Sequence, residues 1–432
     1  MTVTNAWKLL PPLTTATVTV AVFAKSFIPF IFVGSTVVFA VACLAGMALV
    51  AIAIRALANQ VILVPSLLVA LALIYCAVIA SFLLHSLHRV PATHLLGILT
   101  FHGLFLLFGF AASRAVIAVL AVLGAMATIY VLVIAQYVVK FGDFMRDRYL
   151  QDVFGVGIDA SITFHQNIGS AIALGTIAAF GLFSRRRLFV FAALPFVFWF
   201  LFHIAARTAI VALVSSLLFW AGAVLWNRSW KLATLSLAGI VVFATIATGL
   251  FYQRAIHDKT VDAVASDAIS RTIREIQDPR PLYRTQIWTR AVNHIVTEPD
   301  KLLFGRGIGV YPIDEGFGSP NWLLKPTEGN MYYPHNIYLD VLYEAGLAGL
   351  LPVIALTLLP LCISLGRWNK YGTADQASIL LYVFYFVAMQ ISGSFAFSYV
   401  FQFFLGLAIG VVALSRKKDR GVPSAPIVRL QS

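Results

Sequence analysis

The chain reads as all-α: a polytopic membrane bundle of about twelve transmembrane helices with one long, partly helical polar loop. Three observations carry that expectation. Of 432 residues 60% are hydrophobic and only 11% charged, far more apolar than a water-soluble core requires. Apolar runs such as 61–84, 188–205 and 337–365 reach the ~18 to 25 residues that a spanning helix needs. Cations gather in the short connections between such runs, as the positive-inside rule expects of membrane proteins.

In chain order the candidate spans are 10–30, 33–54, 61–84, 92–112, 115–139, 162–183, 188–205, 208–226, 232–251, 336–363, 375–394 and 397–415. If spans alternate, the connections carrying Arg55, Arg114, Arg185 to Arg187, Arg228 with Lys231, and Arg367 with Lys370 share one side with the tail cations Arg416 to Lys418. That side is cytoplasmic and holds both termini. The N-terminal stretch, with Lys8 and no small-residue cleavage site, reads as a retained helix and not a signal peptide. The tail after Asp419 is short and rich in Pro and Ser. Cys43, Cys76 and Cys362 lie in apolar segments without metal or redox spacing and read as small core residues. The net charge of +13 is spread along the chain, not collected in a basic domain, which points to membrane lipids and away from nucleic acid.

The outer face keeps two loops, about 140–161 and 252–334. The four segments are therefore helices within 1–251, an outer loop over 252–335, helices within 336–415 and a tail over 416–432. In the long loop Val264, Ala265, Ala268, Ile269, Ile273 and Ile276 recur at helical spacing, and Asp278-Pro279-Arg280-Pro281 ends that helix. A second helix is expected from Leu282 to Val296. On it Arg284 shares a stripe with Trp288, Ala291 and Ile295, while Arg290 lies on another face and reads as a solvated charge. An arginine on an apolar stripe either snorkels to water or is aimed at an anion in a cavity.

Arg207 stands where the eighth span begins, as an interfacial anchor or as a partner for phosphate, whose oxygens a guanidinium fork fits. His335, after Tyr332-Tyr333-Pro334 and before Asn336, opens the tenth span. A helix N-terminus disfavours imidazolium there, so the ring is either a capping residue or a neutral base. Asp340 and Glu344 follow one turn apart; Glu344 could orient His335, pair with an arginine, or be satisfied structurally. Gly305-Arg306-Gly307-Ile308-Gly309 is a turn whose amides could cradle phosphate, though no βαβ context supports a dinucleotide site. His165, in Phe164-His165-Gln166-Asn167, opens the sixth span as a polar entrance. Asp314-Glu315 reads as a solvated pair. No P-loop, metal-ligand spacing or Asp-x-Asp pair appears in the sequence, which leaves an ATP-driven pump, a metal hydrolase or a nucleotide-sugar enzyme without their residues.

Taken in order, Arg207-Thr208-Ala209, Arg284 with Trp288 and Ala291, Phe304 to Gly309 with Tyr311, His335-Asn336-x-Tyr338 and Glu344-x-Gly346-x-x-Gly349 resemble the bacterial O-antigen ligase and polymerase superfamily. The resemblance implies a glycosyltransferase of GT-C-like architecture in the inner membrane, active on the periplasmic face. It implies transfer of a glycan from undecaprenyl diphosphate to an acceptor hydroxyl, in the ligases that of lipid A-core, without metal or other cofactor. His335 would be the base and Arg207 and Arg284 the diphosphate ligands, with Asn336, Tyr338, Glu344, Arg290, Gly305, Gly307 and His165 in support. Polymerases and protein O-oligosaccharyltransferases share these motifs. A transporter of lipid-linked oligosaccharide, from a different class, could use the same arginines without breaking a bond.

Overall fold

The computed structural model describes residues 12–20, 22–23, 64–141, 158–204, 206–257, 273, 284–316, 318, 333–394 and 398–419. The second candidate span, the loop's first helix apart from Ile273, and the tail after Asp419 fall outside them. All regular structure among the described residues is helical, without strands. The principal helices are α1 (Val64–Ser81), α2 (Ala92–Ala112), α3 (Val116–Phe141), α4 (Ile158–Leu182), α5 (Arg187–His203), α6 (Arg207–Arg228), α7 (Trp230–His257), α8 (Arg284–Thr297), α9 (Ile337–Arg367), α10 (Thr373–Ser392) and α11 (Tyr399–Asp419).

Among these residues five stretches are long and apolar enough to cross a membrane: Val69–Ser86, Ala92–Gln136, Arg207–Arg228, Ile337–Lys370 and Thr373–Ser392. The second resolves into α2 and α3, which meet at the 3-10 turn Ser113–Ala115 carrying Arg114. Tyr382, Phe384, Phe401, Phe403 and Phe404 are buried at the centre, whereas Leu188 is 81% and Leu235 70% exposed. Such a surface is stable against hydrocarbon and costly against water. Cys76 and Cys362 sit on this exposed surface, which corrects their assignment to the core. Apolar sequence context could not distinguish lipid from protein neighbours.

α2 and α11 approach backbone to backbone. A Cβ on Gly109 would stand 1.7 Å from the Phe403 carbonyl oxygen, so only glycine admits the contact. At one end of the bundle the Thr373 hydroxyl bonds the Gly181 carbonyl and Asn227 Nδ2 bonds the Leu365 carbonyl. The basic turns Arg185 to Arg187, Arg228 and Arg367 to Lys370 are collected at that end. The loop residues Arg89 and Asp314, joined at 2.7 Å, lie at the other.

The tenth candidate span departs from the expected straight helix. A helix separates residues 19 positions apart by ~28 Å, yet the Tyr338 hydroxyl meets Thr357 Oγ1 at 2.7 Å. α9 is therefore a helical hairpin. It reverses at Gly346, whose φ of 65° and ψ of −163° leave the helical region. Around the reversal Val341 packs at the Cα of Gly349, and Ile337 shares a cavity wall with Val353 and Thr357. The first arm, residues 337–345, is only ~13 Å long. Crossing is left to the second arm, residues 347–367, at ~30 Å.

The glycine turn replaces the helix bonds that the reversal breaks. Arg306 N–H donates to the Tyr343 carbonyl (2.7 Å) and Gly307 N–H to that of Glu344 (3.3 Å). In return Leu347 and Ala348 N–H donate to the carbonyls of Leu302 (2.9 Å) and Leu303 (3.0 Å). A Cβ on Gly346 would sit 2.4 Å from the Leu303 carbonyl oxygen, and one on Gly305 equally close to that of Glu344. The carbonyls of Tyr343 and Glu344 and the amides of Leu347 and Ala348 thus find partners across the bend, as burial in a membrane protein demands.

Candidate functional site

α8 packs its apolar stripe on the short arm of the hairpin. Ile287 and Ala291 are buried with Tyr311 and Tyr343, and Trp288, Ile295 and Leu339 close around them. The stripe ends at half-buried Arg284, directed to the segment 333–336. There the Trp288 indole N–H donates to the Pro334 carbonyl at 2.7 Å.

His335 follows with φ 55°, the one positive value outside glycine among the described residues. Its ring lies 4.4 Å from that of Tyr333, and its Nδ1 is buried without a hydrogen-bond partner. Burial first, and the Arg284 charge second, push the imidazole down to about 4, so it is neutral at physiological pH. Burial likewise raises Tyr333 to about 12, with Asp340 adding to the rise and Arg284 opposing it. Asn336 caps the short arm: its side-chain oxygen accepts from Tyr338 and Leu339 N–H, both at 3.0 Å. The amide Nδ2 of Asn336 donates to the Gln390 carbonyl at 3.0 Å, which anchors the segment to α10.

A second polar group lies at the same end. Asp314 accepts from the Tyr343 hydroxyl (2.7 Å), from Arg89 (2.7 Å) and from Arg306 Nε (3.0 Å). Burial raises the carboxyl, but these three donors outweigh it and hold Asp314 below the usual carboxylate range. Arg306 also pairs with Glu298 and lies over the Tyr343 ring. Burial opposes its charge, yet Glu298, Tyr343 and Asp314 hold it above the ordinary arginine value. Asp314-Glu315 is therefore not solvated, since their side chains are 8% and 7% exposed. Glu315 pairs with Arg290 at 3.1 Å, so Arg290 is a structural cation and not a free surface charge.

Other expected site residues hold structural posts. The Gly305 amide donates to the Lys301 carbonyl and the Gly307 amide to that of Glu344, so the turn offers no open phosphate cradle through them. Glu344, buried, accepts from Gly309 N–H at 2.9 Å, which is a structural use of the carboxylate. The Tyr338 hydroxyl is spent on Thr357 inside the hairpin. His165 falls in the first part of α4, and its side chain lies outside the described residues. Arg207, half-buried, begins α6. Asn227 ties the far end of α6 to the far end of α9 and Ser216 donates to the Leu380 carbonyl, so α6 runs antiparallel to α10 and Arg207 lies toward the Gln390 end, where Asn336 is anchored.

Sequence reasoning missed Arg89, Arg306 and Asp314 as one network, and the Trp288 bond to Pro334. Of these only Trp288 carried a signal, its place on the Arg284 stripe. No curated protein matches the chain. A family model described as O-antigen ligase matches residues 192–354. That stretch runs from α5 into the second arm of the hairpin and contains Arg207, Arg284, the glycine turn, Asp314 and His335. The chain is a membrane protein carrying an O-antigen ligase family domain.

Proposed function

We propose that the protein is an O-antigen ligase, which transfers a glycan from undecaprenyl diphosphate to a hydroxyl of lipid A-core on the periplasmic face of the inner membrane. The observation that carries this reading is half-buried His335, neutral at physiological pH, with the Arg284 charge acting on its ring, inside the stretch that matches the family. A base that is unprotonated at working pH and a fixed cation beside it are what displacement of a diphosphate by a hydroxyl requires.

In the reaction the acceptor oxygen forms a bond to the anomeric carbon, and its proton passes to His335. The bond from that carbon to the diphosphate oxygen breaks, and undecaprenyl diphosphate leaves with the electron pair. Arg284 and Arg207 hold the diphosphate and stabilise its growing charge, an effect worth ~3–4 kcal/mol per donor in comparable sites. Direct attack inverts the anomeric carbon. No metal step enters.

The test uses purified components with chelator present: donor lipid, lipid A-core and protein. Extended lipid A-core and an equal amount of released undecaprenyl diphosphate are expected. An intact donor after incubation, with glycan moved across a vesicle membrane, would refute transfer. Extension of a second lipid-linked glycan or of a protein, in place of lipid A-core, would refute the ligase assignment.

A further inference from the structure

We infer that Trp288 is a positioning residue for His335, acting through its hydrogen bond to the Pro334 carbonyl. This rests on the reading of His335 as the base. His335 takes a left-handed backbone conformation that residues bearing a Cβ adopt only at a cost, so its surroundings must hold it. It is clamped from both sides: the preceding carbonyl by the Trp288 indole at 2.7 Å, the following residue by the Gln390 carbonyl and the cap of the short arm.

The two clamps come from different elements. The Gln390 anchor belongs to the transmembrane core. Trp288 belongs to α8, which the loop lays against the hairpin through Ile287 and Ala291. The histidine is therefore held in place only while α8 is docked, and docking also brings Arg284 to the ring. One side chain links loop placement to assembly of the site. Without the indole N–H, the Pro334 carbonyl would lose its donor and the left-handed turn could relax, carrying the half-buried ring from its place beside Tyr333 toward solvent. Arg284 on α8 is the cation facing this ring, with Tyr333 beside it; Asp340 on the short arm acts on Tyr333.

The experiment replaces Trp288 in the full-length protein by Phe, and separately by the isosteric benzothienylalanine, in which sulfur stands for the N–H. The second variant keeps the ring volume, should Trp288→Phe fail to accumulate. Transfer kinetics are recorded across pH with the lipid-linked donor and lipid A-core. Expected is a fall in kcat of about tenfold or more with donor KM changed less than about twofold. The acid limb of kcat should rise from near 4 toward the ordinary histidine value. An unchanged kcat and acid limb would overturn the inference, as would a lower kcat with an unmoved limb, which marks a packing defect. His335→Ala serves as the control for the underlying reading: full activity there removes the base, whereas an inactive His335→Ala beside a fully active Trp288→Phe removes only the positioning role.

Discussion

The two polar groups at the loop end of the bundle rest on the same short arm of α9 and differ in how their polar atoms are satisfied. Around Asp314 every partner is in place: two arginines and a tyrosine hydroxyl converge on one carboxylate. Around His335 the ring keeps a buried nitrogen without a partner, the backbone is strained, and a cation faces a group that it discourages from protonation. The first arrangement holds the loop down. The second stores free energy, which is the usual mark of a group kept ready for chemistry.

Substitutions should separate the two. His335→Ala is expected to lower turnover about 100- to 10,000-fold while leaving the thermal transition near that of the parent, as read by transfer assay and by unfolding in detergent. Asp314→Asn should do the reverse. Removing the charge takes the charged acceptor from Arg306, which keeps Glu298, and from Arg89, which is 42% exposed, a loss of about 1–3 kcal/mol, visible as a lower transition temperature and faster proteolysis of the loop. Arg284→Gln is expected to cost about 100- to 1,000-fold in kcat and also to shift the pH profile.

The sign of that shift follows from the histidine. Its folded value is depressed to about 4, so the neutral, proton-accepting form prevails above that pH. Activity should therefore persist through the ordinary histidine range and fall only as pH drops through about 4. Removing the Arg284 charge should move the fall upward. The smallest effect is expected at Glu315→Gln. Its partner Arg290 is 42% exposed, and such a pair contributes at most about 1 kcal/mol, measured as a small change in the unfolding midpoint.

Much of this end of the molecule was legible in the sequence. Arg284, Trp288, Ala291 and Ile295 fall on one helical stripe by spacing alone, and the stripe is the face that α8 buries. The histidine before a helix start was likewise a local signal. The hairpin in α9 was not legible, because hydropathy stays high across Gly346 despite Asp340 and Glu344 and does not register a reversal. Gly346 bends there because a distant segment, 302–307, supplies the missing hydrogen bonds. Asp314 was misread as solvated for a similar reason, since its partner Arg89 lies 225 positions away. Pairings of that range depend on the packed bundle and leave no period in the chain.

The contrast between a satisfied anchor and a strained base reduces to one paired measurement: turnover and unfolding midpoint recorded together for His335→Ala and Asp314→Asn. The expected result is a His335→Ala protein with the parent's midpoint and little transfer, beside an Asp314→Asn protein with a lowered midpoint and substantial transfer below it. Parent-like transfer in His335→Ala would contradict the account.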